Sequence, residues 1–214
     1  MSKIERTANA QMEEPRDDKA RSDPSRRHFL IAATAITGIV GVGFASYPFV
    51  ASWQPSAKAR ALGSPIRVDL SRLEPGQQIT AIWRGHPIWI LNRTPDMLDR
   101  LSEDDWRRQL RDPDSAIETQ QPPYAKNATR SVRAEYLVVV AVCTHLGCVP
   151  TFRPEVSSED LGEQWIGGYF CPCHGSRFDL AGRVTKNVPA PTNLVVPPHR
   201  YLGSDVLEVG VDPA

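Results

Sequence analysis

The chain has 214 residues, 41% of them hydrophobic, and its 25 Lys and Arg balance its 25 Asp and Glu. That is enough apolar material for one ordinary domain with extensions, and zero net charge lacks the basic footprint of nucleic-acid binders, so no nucleic-acid partner is expected. The 19 prolines and 14 glycines demand many turns, and the 4 cysteines all fall between Cys143 and Cys173, too clustered to staple a whole fold.

Residues 1–24 are polar, with mixed charge and no apolar periodicity, the composition of a disordered tail. Ser25-Arg-Arg-His-Phe-Leu30 follows, and an uncharged run extends from Phe29 to Val50. A run of this length spans the ~30 Å hydrocarbon core as a helix, and Gly38, Gly41 and Gly43 are tolerated there. The twin arginines before Phe-Leu resemble a twin-arginine export signal, which implies assembly in the cytoplasm and export in folded form. Basic residues ahead of the span keep the N-terminus cytoplasmic. The expectation is a single pass in the cell inner membrane with the C-terminal domain in the periplasm. Ala57-Lys-Ala59 and Ala59-Arg-Ala61 match the small-residue cleavage pattern, but the apolar run is longer than a cleaved signal's core, so a retained anchor is expected. The division is then 1–28 tail with signal, 29–50 transmembrane anchor, 51–65 small-residue hinge and 66–214 folded domain.

From Ile66 the texture changes to short strands and turns. Ile66-Arg-Val-Asp-Leu70 alternates with period two, and Pro75-Gly76 marks a turn. Ile79–Trp83 and Ile88–Leu91 flank Arg84-Gly-His-Pro87 as a hairpin. Thr94-Pro95 opens a helix running to about Leu110, with Thr as N-cap, Pro at the first position and its charged residues on a solvated face. Residues 111–133 read as loop. Glu135–Val142 reads as a buried strand that delivers the chain to Cys143. His28 falls in the export signal, His86 in an exposed hairpin turn and His199 on a late loop after two prolines; none is expected to be a ligand.

Two boxes carry the chemistry: Cys143-Thr-His145-Leu-Gly-Cys148 and Cys171-Pro-Cys173-His174-Gly-Ser176. Plain disulfides suit an exported protein but leave both histidines unexplained. Zinc takes Cys and His tetrahedrally, yet these spacings are not the usual knuckles and two cysteines are left over. A catalytic cysteine beside a histidine does not explain the duplication. A [2Fe–2S] centre uses every residue, with mixed Cys and His ligation and a cysteine pair that could close a disulfide.

CTHLGCVP at 143–150 and GGYFCPCHGS at 167–176 are similar to the cluster-binding boxes of the Rieske iron–sulfur subunit of quinol–cytochrome c oxidoreductase. Trp83-Arg-Gly-His-Pro87 and the proline loop Val188-Pro-Ala-Pro191-Thr-Asn193-Leu194 extend the resemblance, and the anchor, hinge and signal match as well. It covers about residues 25–210. The resemblance implies an all-β Rieske domain of antiparallel strands, with an inserted cluster-binding subdomain at about 138–192, plus one N-terminal transmembrane helix.

It also implies roles by motif position. Cys143 and Cys171 would ligate one iron, His145 and His174 the other, and Cys148 and Cys173 would form a disulfide. Ser176 would donate its hydroxyl hydrogen bond to a bridging sulfide, assisted by backbone N–H groups around Leu146, Gly147, Cys148 and Gly175. His145 and His174 would also take part in catalysis, each offering its outer nitrogen to a quinol and so coupling electron and proton transfer. Leu146 would dock on cytochrome b, while Pro189 and Pro191 would help cover the cluster. Implied partners are cytochrome b and cytochrome c1 in a dimeric, proton-translocating complex. The head would swing on the hinge. The rival reading is the small Rieske subunit of a periplasmic oxidase of the arsenite-oxidase type.

Two positions depart from the family pattern. Phe178 stands where many relatives have a Tyr whose hydroxyl reaches a ligand sulfur, which implies a lower potential here. Asn187 replaces a common Gly ahead of the proline loop, and Asn tolerates positive φ better than most residues.

Overall fold

The computed structural model describes residues 24–56, 59 and 63–213. The polar tail up to residue 23, hinge residues 57, 58 and 60–62, and with them both cleavage patterns, lie outside the described residues. The chain divides into one unit ending at Pro55 and a second beginning at Ser56.

The first unit is helix α1, Pro24–Ser52, 29 residues with no buried side chain. It starts on Pro24, where a missing N–H costs nothing because the first turn has no acceptor for it. It takes in both arginines of the signal and the first residues of the expected hinge, so it overruns the apolar stretch at each end. At ~1.5 Å per residue a helix of 29 residues is about 44 Å long, more than the ~30 Å hydrocarbon core requires. Its mean hydropathy reaches 2.0, so α1 is long and apolar enough to cross a membrane.

The second unit contains three three-stranded antiparallel sheets. Strands β1 (Ile66–Asp69), β8 (His199–Leu202) and β9 (Val206–Val209) form one, in the order β1-β9-β8. Strands β2 (Gln78–Trp83), β3 (His86–Asn92) and β4 (Tyr136–Val140) form the second, and β5 (Thr151–Arg153), β6 (Gly168–Phe170) and β7 (Arg177–Asp179) the third. The expected hairpin is β2–β3, closing with Trp83 opposite His86. Arg84 and Gly85 both take positive φ, 52° and 78°, the conformation of the tight turn whose twist suits a hairpin.

The middle sheet is buried on both faces. Trp89, Leu91, Leu137 and Val139 point into one core, while Ile88, Ile90 and Val138 point into the other. Side chains alternate across a strand, so a strand between two cores is apolar without interruption, which accounts for Leu137-Val-Val-Val140.

The expected helix to Leu110 is two pieces. Thr94 caps α2, Pro95–Leu101, its Oγ1 accepting from Met97 N–H at 3.2 Å. The helix ends at Ser102, Glu103 is extended, and α3 spans Asp104–Arg107. The break turns Trp106 into the core, edge-on to Trp165 at 6.1 Å, and lets Leu110 pair with Thr185. The solvated face also fails at Arg100. Its side chain is 12% exposed, pairs with Asp96 and donates to the Ile166 carbonyl.

His199 is not on a loop. It opens β8 and is fully buried. Its ring Nδ1 lies 2.8 Å from the Pro197 carbonyl, and its backbone N–H donates to the Tyr124 hydroxyl, which in turn donates to Asp212. Burial holds the imidazole below its usual pKa, against the opposing pull of the Pro197 carbonyl and Asp212. As pH falls, the unfolded chain therefore takes up this proton before the folded chain does. Stability present above about pH 6.5 is lost as pH drops from there through the lower folded value. A His199→Gln chain should show a shallower fall in urea midpoint between about pH 6.5 and 5 than the wild type; parallel slopes would remove His199 as the cause.

Candidate metal centre

Box 1 follows β4 and box 2 follows β6, and the two loops close identically. Cys143 N–H donates to the Cys148 carbonyl at 2.7 Å and Gly147 N–H to the Cys143 carbonyl at 3.0 Å. In box 2, Cys171 N–H donates to the Ser176 carbonyl at 2.8 Å and Gly175 N–H to the Cys171 carbonyl at 2.9 Å. The same two chain offsets therefore recur. Gly147 and Gly175 sit at the equivalent position with φ of 86° and 75°, where a Cβ would be strained. Their N–H groups donate to the Cys143 and Cys171 carbonyls and so close the two loops. The glycine at the start of β6 has another cause: a Cβ on Gly168 would lie 2.1 Å from the Phe178 carbonyl across the β6–β7 pair.

Cys148 and Cys173 are joined in a disulfide with Cα atoms 6.7 Å apart. Cys143 and Cys171 are free and buried. The Cys171 sulfur lies within 4.8 Å of both disulfide sulfurs. A disulfide offers no thiolate, so the available soft donors are Cys143 and Cys171. Burial pushes the Cys143 thiol above its usual pKa; the His145 backbone N–H pulls it down, the Cys171 thiol raises it, and the Ser176 hydroxyl lowers it. The rings of His145 and His174 meet edge-on, 4.7 Å between centroids. His145 is half-buried and His174 exposed. The donor set is thus two buried thiols and two adjacent imidazoles, which fits a two-iron centre with mixed ligation.

The proline loop is fastened to both boxes. Arg111 Nη2 donates to the Val188 carbonyl at 3.0 Å, Ala190 N–H to Ser176 Oγ at 3.0 Å, and Thr144 Oγ1 to the Thr192 carbonyl at 2.7 Å. Asn193 accepts from Val184 N–H through Oδ1 at 2.9 Å and donates to the Asp112 carbonyl at 3.1 Å. Asn187 takes φ of 58°, the left-handed turn that the departure from Gly has to accommodate. Pro189 and Pro191 are exposed, as is Leu146 at 71%. Phe178 is fully buried opposite Tyr169 and shares a core with Cys143, Cys171 and Ala190.

Sequence reasoning missed Thr144, Arg111 and Ala190. Thr144 carried a signal in its place between two candidate ligands. Arg111 and the Ala190 amide carried none, because the first resembles any surface arginine and the second is a backbone group.

Residues 116–198 match the family model of the Rieske [2Fe-2S] domain, and residues 17–56 match that of the ubiquitinol-cytochrome C reductase Fe-S subunit TAT signal. The ubiquinol-cytochrome c reductase iron-sulfur subunit of Allochromatium vinosum is 56% identical over 187 residues, 87% of this chain and 89% of that one. Its counterpart in Blastochloris viridis is 40% identical over 191 residues, 88% and 94% of the two chains. A chain of a solved structure titled "Hyperthermophilic respiratory Complex III" is 25% identical and covers 82% of this chain and 97% of its own, with a TM-score of 0.42. The chain belongs to the family of Rieske iron–sulfur subunits of ubiquinol–cytochrome c reductases.

Proposed function

We propose that this chain carries electrons from a membrane quinol to a cytochrome c1-type haem, as the iron–sulfur subunit of a dimeric complex with cytochrome b. The observation that carries this reading is the convergence of His145 and His174 at the surface above two buried thiols. Cys143 and Cys171 would hold one iron, His145 and His174 the other. When bound, the cluster supplies a one-electron centre whose potential is raised because neutral imidazoles replace two thiolates.

The chain's own residues do the rest. The exposed His174 offers its outer ring nitrogen to accept a hydrogen bond, and then a proton, from the quinol hydroxyl; His145 is the half-buried alternative. Leu146 presents an apolar tip for docking on cytochrome b. Pro189 and Pro191, on a loop bonded to both boxes, keep water from the buried side. The Cys148–Cys173 disulfide fixes the spacing of the loops. Helix α1 anchors the subunit as a single pass, with the second unit on the periplasmic side.

Membranes containing the full-length chain, reduced and examined by EPR, should give a rhombic signal with average g below the free-electron value, and quinone-site inhibitors should perturb it. Membranes containing the chain but giving no such signal would return the boxes to zinc or disulfide chemistry. Phe178→Tyr should raise the midpoint potential by restoring a donor beside the ligand sulfurs; an unchanged midpoint in a fully loaded protein would refute that role. Replacing Cys148 and Cys173 together by Ser opens a link of 25 residues, which costs about 3.5 kcal/mol on a loop-entropy basis. The cluster signal should then be lost at lower urea than in the wild type.

A further inference from the structure

Ser176 has one hydroxyl proton to donate and two lone pairs to accept with. One acceptor position is taken by the Ala190 N–H at 3.0 Å. The hydroxyl also interacts with the Cys143 side chain. Ser176 and Ala190 are both fully buried, so solvent does not compete for either group. An N–H cannot accept a proton, so the bond from Ala190 closes that direction to the Ser176 proton and leaves it to the sulfur side. Donors to sulfur stabilise the more negative reduced state of a cluster.

We propose that the backbone N–H of Ala190 is a positioning group that sets the cluster's potential by aiming the Ser176 hydroxyl. This rests on the reading that Cys143 and Cys171 ligate the cluster. The amide belongs to the proline loop, whose place is fixed independently by Thr144 on the Thr192 carbonyl and Arg111 on the Val188 carbonyl. The loop that covers the cluster thus also controls its reducibility, and a displacement of the loop by a docked partner lowers the potential without touching a ligand.

The test is an EPR-monitored redox titration of full-length protein in membranes. Ala190→Pro deletes the N–H, and Ala190→Gly keeps it. The Pro variant should favour the oxidised form about tenfold over wild type, which is about 59 mV for one electron, with the Gly variant staying within about twofold of wild type. In a Ser176→Ala background the Pro substitution should add nothing. An equal shift in both backgrounds would mean that the loop acts by excluding water and would overturn the proposal, as would no shift with Ser176 present. If Ala190→Pro yields no signal, Pro191→Gly reads the same link by loosening the loop while retaining the amide. It should lower the midpoint with Ser176 and not with Ser176→Ala, and any other pattern overturns the proposal. A parent protein without a signal would instead remove the underlying cluster reading.

Discussion

The turn from Asp179 to Arg183 holds the cluster loops in place, and buried charge holds the turn. The Asp179 carboxylate is fully buried, and it accepts from the Ala181 and Arg183 N–H groups and from Arg183 Nε, each at 2.8 Å, and from Trp106 Nε1 at 3.3 Å. Arg93 donates to the Leu180 carbonyl, and Arg130 to those of Ala181, Gly182 and Leu194. Three buried guanidinium groups thus surround one carboxylate. Burial lowers Arg93 and Arg130 to about 10, so both remain charged at neutral pH. A buried charge stripped of its partners is costly, about 3–5 kcal/mol when one member of a buried pair is removed. Here carbonyl oxygens of one turn solvate the excess charge, and the turn cannot relax without exposing it. Box 2 enters this turn through β7, and the proline loop leaves it through Leu194 N–H on the Gly182 carbonyl at 2.8 Å.

Rigidity below and exposure above divide the site's work. The thiols lie in the same core as Trp89, Tyr169 and Phe178, where stacking of Trp89 on Tyr169 at 4.7 Å stiffens the floor. The imidazoles lie where that core reaches solvent. On the proposed reading, the buried thiols would hold one iron and the imidazoles the other, and the exposed His174 would give the quinol a place to pass its proton. Both ends depend on the two loops matching each other, which follows from the repeated closure of each by the same backbone bonds.

The boxes were legible because the chemistry fixes both residue type and spacing, and the hairpin because Arg84-Gly85 is suited to one tight turn. The helix past Thr94 was legible only to Leu101. Its charged residues kept a helical texture, but burying Trp106 against Trp165 outweighed continuing the helix. His199 was misread because Pro197 and Pro198 suggest a loop, whereas the Tyr124 hydroxyl substitutes for a strand partner at its N–H. The arginines around Asp179 were invisible for a general reason: arginine reads as surface, and only the fold brings carbonyls to it. Nothing in a sequence marks which backbone amide will meet a serine.

Phe178 gives that amide its weight. In the second box, from Cys171 to Asp179, Ser176 is the one residue with a hydroxyl. Where a relative has Tyr at the position of Phe178, two side chains can share the task of donating to sulfur, and a disturbance of one leaves the other. Here Phe178 fills its place in the core without a donor, so on the proposed reading reducibility would rest on a single hydroxyl oriented from the proline loop. On the proposed reading, the substitution would lower the potential and also make what remains more responsive to the position of that loop.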